Sequence, residues 1–195
     1  MDIEGILRSF NPFDLLVVLG LMAMFILGFI QGTVRRLLGL ASIVFSLLLA
    51  AQLREPLGDF LASNWTQFPD QYSRMIGFGA VFVAASITFT IAIQAFYRVV
   101  PLFVRFPVVD ELLGGVLGVL QGAVILGAAI LILDPFYQLS GIPAFGDEMA
   151  VLRTFHEALD NSTTAIVYRE QIIPGFFAVA GGLFPEAVRA VFPAS

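Results

Sequence analysis

The sequence predicts an all-α integral membrane protein with about four transmembrane helices in two hairpins, followed by amphipathic or interfacial helices toward the carboxyl end. Three observations carry this expectation. Of the 195 residues, 58% are hydrophobic and 13% charged, a balance far from that of a water-soluble domain. Four apolar stretches, each with at most one charged residue and that one near an end, approach or exceed the roughly 20 helical residues needed to cross a hydrocarbon core. The charged residues gather at the ends of those stretches.

The four stretches run from about Phe13 to Ile30, Leu37 to Leu53, Met75 to Val100 and Leu112 to Leu133. No small-residue cleavage pattern follows the first, so it is expected to be a retained helix behind a short amino-terminal segment, residues 1–12. Thr33 suits a helix N-cap, and Arg35 and Arg36 stand just inside the second helix, which makes the first connection a tight turn around Gly32. The first two helices are therefore expected to form an antiparallel hairpin. Arg54, Pro56, Asp59, Trp65, Pro69 and Asp70 then mark a connection resting on the membrane interface, where an indole sits well. Pro101 and Pro107 bend the third connection.

Helix four closes a four-helix domain over residues 13–134, and residues 135–195 form a tail of different character. Asp134 and Pro135 read as its boundary, with Asp147 and Glu148 in a solvated link. Met149 to Ala165 reads as a partly amphipathic helix with Leu152, Phe155 and Leu159 on one face and His156 on a solvated one. Ile172 to Phe184 is apolar but too short to span, which makes it interfacial or re-entrant. Cations near helix ends set orientation: Arg35, Arg36, Arg98 and Arg105 lie in the two short connections, which places those loops in the cytoplasm and both termini outside.

Composition also excludes chemistry. Every cation is an arginine and the net charge is −5, which leaves no basic face for a nucleic acid. Cysteine is absent and there is one histidine, too few ligands for a metal site or a thiol mechanism. No cofactor is expected, and no catalytic set emerges; an enzyme would need convergent carboxylates such as Asp134, Asp147 and Glu148.

Gly114, Gly118 and Gly122 recur at steps of four and stack along one face of helix four, where another backbone can approach. Gly28 and Gly32 share with Gly118 and Gly122 the form G-x-x-Q-G, a faint echo between halves. Gln31, Gln94 and Gln121 are amides that need partners within the membrane, by interhelical hydrogen bonding or along a polar path. Asp14 and Asp110 stand at helix starts, where capping accounts for a carboxylate.

The run from Asp14 to Gly32, ending G-F-I-Q-G and followed after Thr33 by V-R-R-L-L-G-L, resembles the first hairpin of the colicin V production protein family. The run V-D-E-L-L-G-G-V-L-G-V-L-Q-G from Val109 to Gly122 is similar to that family's D-x-x-L-G-x-x-x-G-x-x-x-G start of helix four. The resemblance covers roughly residues 13–140. It implies a bacterial inner-membrane protein, non-enzymatic, that supports toxin production or export and envelope homeostasis. Its partners would be the bilayer, further copies or other membrane proteins, met through the glycine face of helix four. Family members often carry arginine where Gln31 and Gln121 stand, so the cation there would come from Arg35 or Arg36. The other class is a small transporter or channel with a path lined by helices three and four.

Overall fold

The computed structural model describes residues 11–65, 70–96, 107–139 and 150–184. Its long helices are α1 (Pro12–Gln31), α2 (Thr33–Asn64), α3 (Asp70–Phe96) and α4 (Pro107–Leu139). Each contains a segment long and apolar enough to cross a membrane, and no strand occurs among the described residues. This is a multi-pass, all-α membrane protein.

Local chemistry sets the first turn. Asn11 caps α1 by accepting the Phe13 N–H at 2.9 Å, with Pro12 at the first helical position, where its missing N–H costs nothing. At the other end Gly32 takes φ 76° and its N–H returns to the Gly28 carbonyl at 3.0 Å. That backbone region strains any residue with a Cβ, and it lets α2 start one residue after α1 stops.

The second helix outruns its expected end at Leu53. Pro56 lies inside α2, although it withholds the hydrogen bond to the Gln52 carbonyl. Contact with α3 holds the extension in place: Gly58 backs onto Arg74 and Gly77, and Arg74 pairs with Asp59 at 2.9 Å. Trp65 follows the last turn, partly exposed. Likewise α4 continues through Pro135 instead of ending before it.

The four helices alternate in direction, and sequence neighbours pack along one another only in the middle of the chain, where α2 meets α3. α1 lies along α4, and α2 lies along α3 and also along α4; α1 and α2 scarcely touch. The first hairpin is thus a hairpin by connection, with α4 packed against both of its arms. The α1–α4 seam is made of glycine. A Cβ on Gly28 would strike the Gly114 carbonyl, and one on Gly118 would strike the Met24 carbonyl. Van der Waals contact between backbones, available only where side chains are missing, drives association in lipid.

The tail comprises α5 (Ala150–Asp160), α6 (Thr163–Val167), a π-helical turn (Tyr168–Ile172), α7 (Ile173–Ala180) and a 3₁₀ turn (Gly181–Leu183). The single helix expected from Met149 to Ala165 is broken at Asn161 and Ser162, because the Ser162 hydroxyl caps a new helix through the Ala165 N–H at 3.0 Å. The tail does not lie apart. Leu159, Ala165, Ile173, Phe177 and Phe184 share one core with Leu47, Phe78, Ala128 and Ile130 of the bundle. The Tyr168 hydroxyl donates to the Ala123 carbonyl at 2.9 Å. Ala123 precedes Asp134 by eleven positions, about 16 Å along α4, so this segment reaches well into the depth of the spanning helices.

Replacing Gly118 by alanine forces α1 away from α4 and is expected to lower stability by about 1–3 kcal/mol, the usual cost of overpacking. Gly20, whose added Cβ would meet nothing within 4 Å, serves as the control. Unfolding by SDS titration in micelles should separate the two alanine variants; equal midpoints would remove the glycine seam as the determinant of α1–α4 packing.

Candidate functional site

Polar side chains converge at two places, one at each end of the bundle. At the Gly32 end, the Thr33 hydroxyl donates to the Asp110 carbonyl at 2.8 Å, and the Asp110 carboxylate sits against Gly32, where an added Cβ would fall 2.6 Å from Oδ2. Asp110 is buried, in the first turn of α4. One turn further into α2, Arg36 is only 5% exposed and donates from Nη1 to Gln121 Oε1 at 2.7 Å. Gly39 leaves the room that the Gln121 amide occupies, an added Cβ lying 3.2 Å from Nε2. Gln31, Arg35, Arg36, Thr90 and Gln121 line a cleft of about 210 Å³. The side chain of Gln94, and Arg98 and Arg105 altogether, lie outside the described residues.

At the opposite end, Asp134 is completely buried within α4, not at a helix boundary as its Asp-Pro context implied. Arg169 holds it with a two-pronged grip: Nε donates to Oδ2 and Nη2 to Oδ1, both at 2.7 Å. His156 Nε2 lies 3.3 Å from Oδ1, and Arg169 Nη1 donates to Asp160 at 2.5 Å. His156, expected on a solvated face, is 7% exposed, because α5 turns that face onto α4. The hydrogen bonds that Arg169 donates to the Asp134 carboxylate raise its pKa above the ordinary value, so the guanidinium stays charged. Arg169 belongs to the π-helical turn, a local irregularity of the kind often found at functional positions.

A second latch joins the tail to α1. Asp14 accepts from the Thr163 and Thr164 N–H groups at 3.1 and 3.0 Å, and from the Thr164 hydroxyl at 2.6 Å. Asn11, not Asp14, caps α1; the aspartate instead supplies acceptors to the start of α6. Asn11 Nδ2 adds a bond to the Asn161 carbonyl at 2.7 Å.

Gly114 and Gly118 are buried against α1, and Gly122 packs on Leu21 and Met24. The glycine face is therefore covered by α1 within the chain. The described residues hold no group of three or more candidate metal ligands, and Asp147 and Glu148 lie outside them.

The chain matches the model of a family described as Colicin V production protein over residues 13–167. The chain belongs to the colicin V production protein family. The family match runs past residue 140, where the resemblance was expected to fade, and ends at the last residue of α6. It thus takes in Asp14 and the Thr163–Thr164 segment it holds, together with Asp134 and His156. No curated protein and no solved structure matches the chain.

Breaking the Asp134 clamp from one side leaves a buried, unpaired charge and is expected to cost about 3–5 kcal/mol, whereas replacing both partners by apolar residues is far milder. The chain has no cysteine, so Ala165→Cys, fully buried here, reports tail docking through a membrane-permeant thiol reagent. Labelling should be slow in the single-cysteine protein, fast when Arg169→Met is added, and slow again with Asp134→Leu and Arg169→Met together. Uniformly slow labelling would show that the ion pair does not hold the tail.

Proposed function

We propose that the protein is a non-enzymatic component of the bacterial inner membrane that supports colicin V production or export, and with it envelope homeostasis, by associating with itself or with other membrane proteins. The family match over most of the chain is the observation that carries this. The polar groups within the bundle support a structural use: Asp134, Arg169, Asp14 and Thr164 bind the tail to the helices. With the glycine face taken by α1, association uses the outer apolar surface, on which Leu16, Leu19, Ile26 and Ile30 of α1 are exposed. The Gly32 end faces the cytoplasm, and both termini lie on the far side.

The cleft beside Gln31, Arg36 and Gln121 favours a second class, a small transporter or channel. A deletion strain that makes colicin V, complemented with the parent or with Arg169→Met, tests the role; the parent should restore toxin secretion and the undocked variant should not. Subunit stoichiometry and ion or small-solute flux are then measured in the same vesicles. Association without flux supports the proposal. Flux from a monomer, abolished by Gln121→Leu, overturns it in favour of transport.

A further inference from the structure

Among the described residues, no carboxylate answers the charge of Arg36. This arginine is 5% exposed, its one side-chain hydrogen bond goes to the neutral amide oxygen of Gln121, and its buried Nε has no partner. Arg35 lines the same cleft. Among the described residues no carboxylate forms an ion pair with either arginine. Burying a guanidinium in a spanning helix without a counter-charge is costly. The same chain shows the usual solution at its other end, where Asp134 is matched by Arg169.

The lining defines what would complete this site. Two guanidiniums, the amides of Gln31 and Gln121 and the Thr90 hydroxyl supply many donors, and no acid is among the described residues that line it. Arginine's planar fork suits the oxygens of phosphate-type anions. A volume of about 210 Å³ falls below the roughly 300 Å³ at which pockets for drug-sized ligands begin, so it admits a small polar group and not a whole lipid. Leu27 of α1 and Ile93 of α3 flank the cleft, and those two helices do not pack along one another. A headgroup attached to acyl chains therefore has an approach from the bilayer as well as from water.

We propose that the cleft between Arg35, Arg36 and Gln121 binds a phosphate-type oxyanion, carried either by an anionic phospholipid headgroup or by free phosphate. The anion neutralises Arg36, accepts from its Nε, and ties α2 to α4 next to the glycine seam.

The test uses the full chain purified in a mild detergent, probed with phosphatidylglycerol, with phosphatidylcholine and with inorganic phosphate. Native mass spectrometry counts retained lipid, and thermal unfolding reads stabilisation. Arg36→Gln removes the cation. Gln121→Glu is the second variant: it places a carboxylate beside Arg36, satisfies the fold from within and repels an anion. For a lipid source, the parent retains phosphatidylglycerol over phosphatidylcholine, and both variants bind it about tenfold or more weakly, the loss of one charge-assisted hydrogen bond. For a free anion, inorganic phosphate stabilises the parent, lipid identity is without effect, and Gln121→Glu abolishes the stabilisation. A parent that responds to neither probe, or a Gln121→Glu variant that responds as the parent does, overturns the proposal.

Discussion

The close approach of α1 and α4 is the constraint on which the remaining arrangement depends. In lipid there is no hydrophobic drive to bring two apolar helices together, so contact has to come from van der Waals fit, and the closest fit is backbone on backbone. Gly28, Gly114 and Gly118 permit it by lacking the atoms that would prevent it. Once α4 is set against α1, the one-residue turn at Gly32 leaves α2 on α4's other flank, and α3 follows along α2. The Arg36–Gln121 contact exists because α2 and α4 are held side by side by this route.

The two ends of the bundle treat charge differently. At the tail end the chain answers its own charges: Asp134 with Arg169 and His156, Asp14 with the amides and hydroxyl of α6. Such pairs contribute less to net stability than their Coulomb energy suggests, since desolvation offsets most of it; what they add is a single way for the tail to dock. At the Gly32 end the cation is left to a neutral amide. A protein of the colicin V production family that buries a cation in this way presents a binding feature facing the proposed cytoplasmic side, separate from the clamp that holds the tail.

Much of the architecture was visible in the residues alone. Four apolar stretches marked four helices, and the period-four glycines marked a close-contact face. The errors have a common origin. Pro56 and Pro135 read as breaks because proline costs a hydrogen bond locally, but each is carried inside a longer helix. His156 and Asp134 read as surface and boundary residues because each sits in a locally polar stretch. Each is buried against a partner far along the chain, Asp134 against Arg169 and His156 against Asp134, and that distance hides it from any local pattern.

Sequence by itself therefore determined the solvent, the number of spanning helices, the absence of thiol chemistry and the faces without side chains. Each of these is a sum over composition or a period along one segment. Tertiary structure alone decided that the glycine face packs against α1, that the tail docks on the bundle, and that Arg36 lies buried with no ion-paired carboxylate among the described residues. Those outcomes depend on which helix stands next to which. Helix neighbours in a membrane are chosen by fit between distant surfaces, which no single stretch of chain contains.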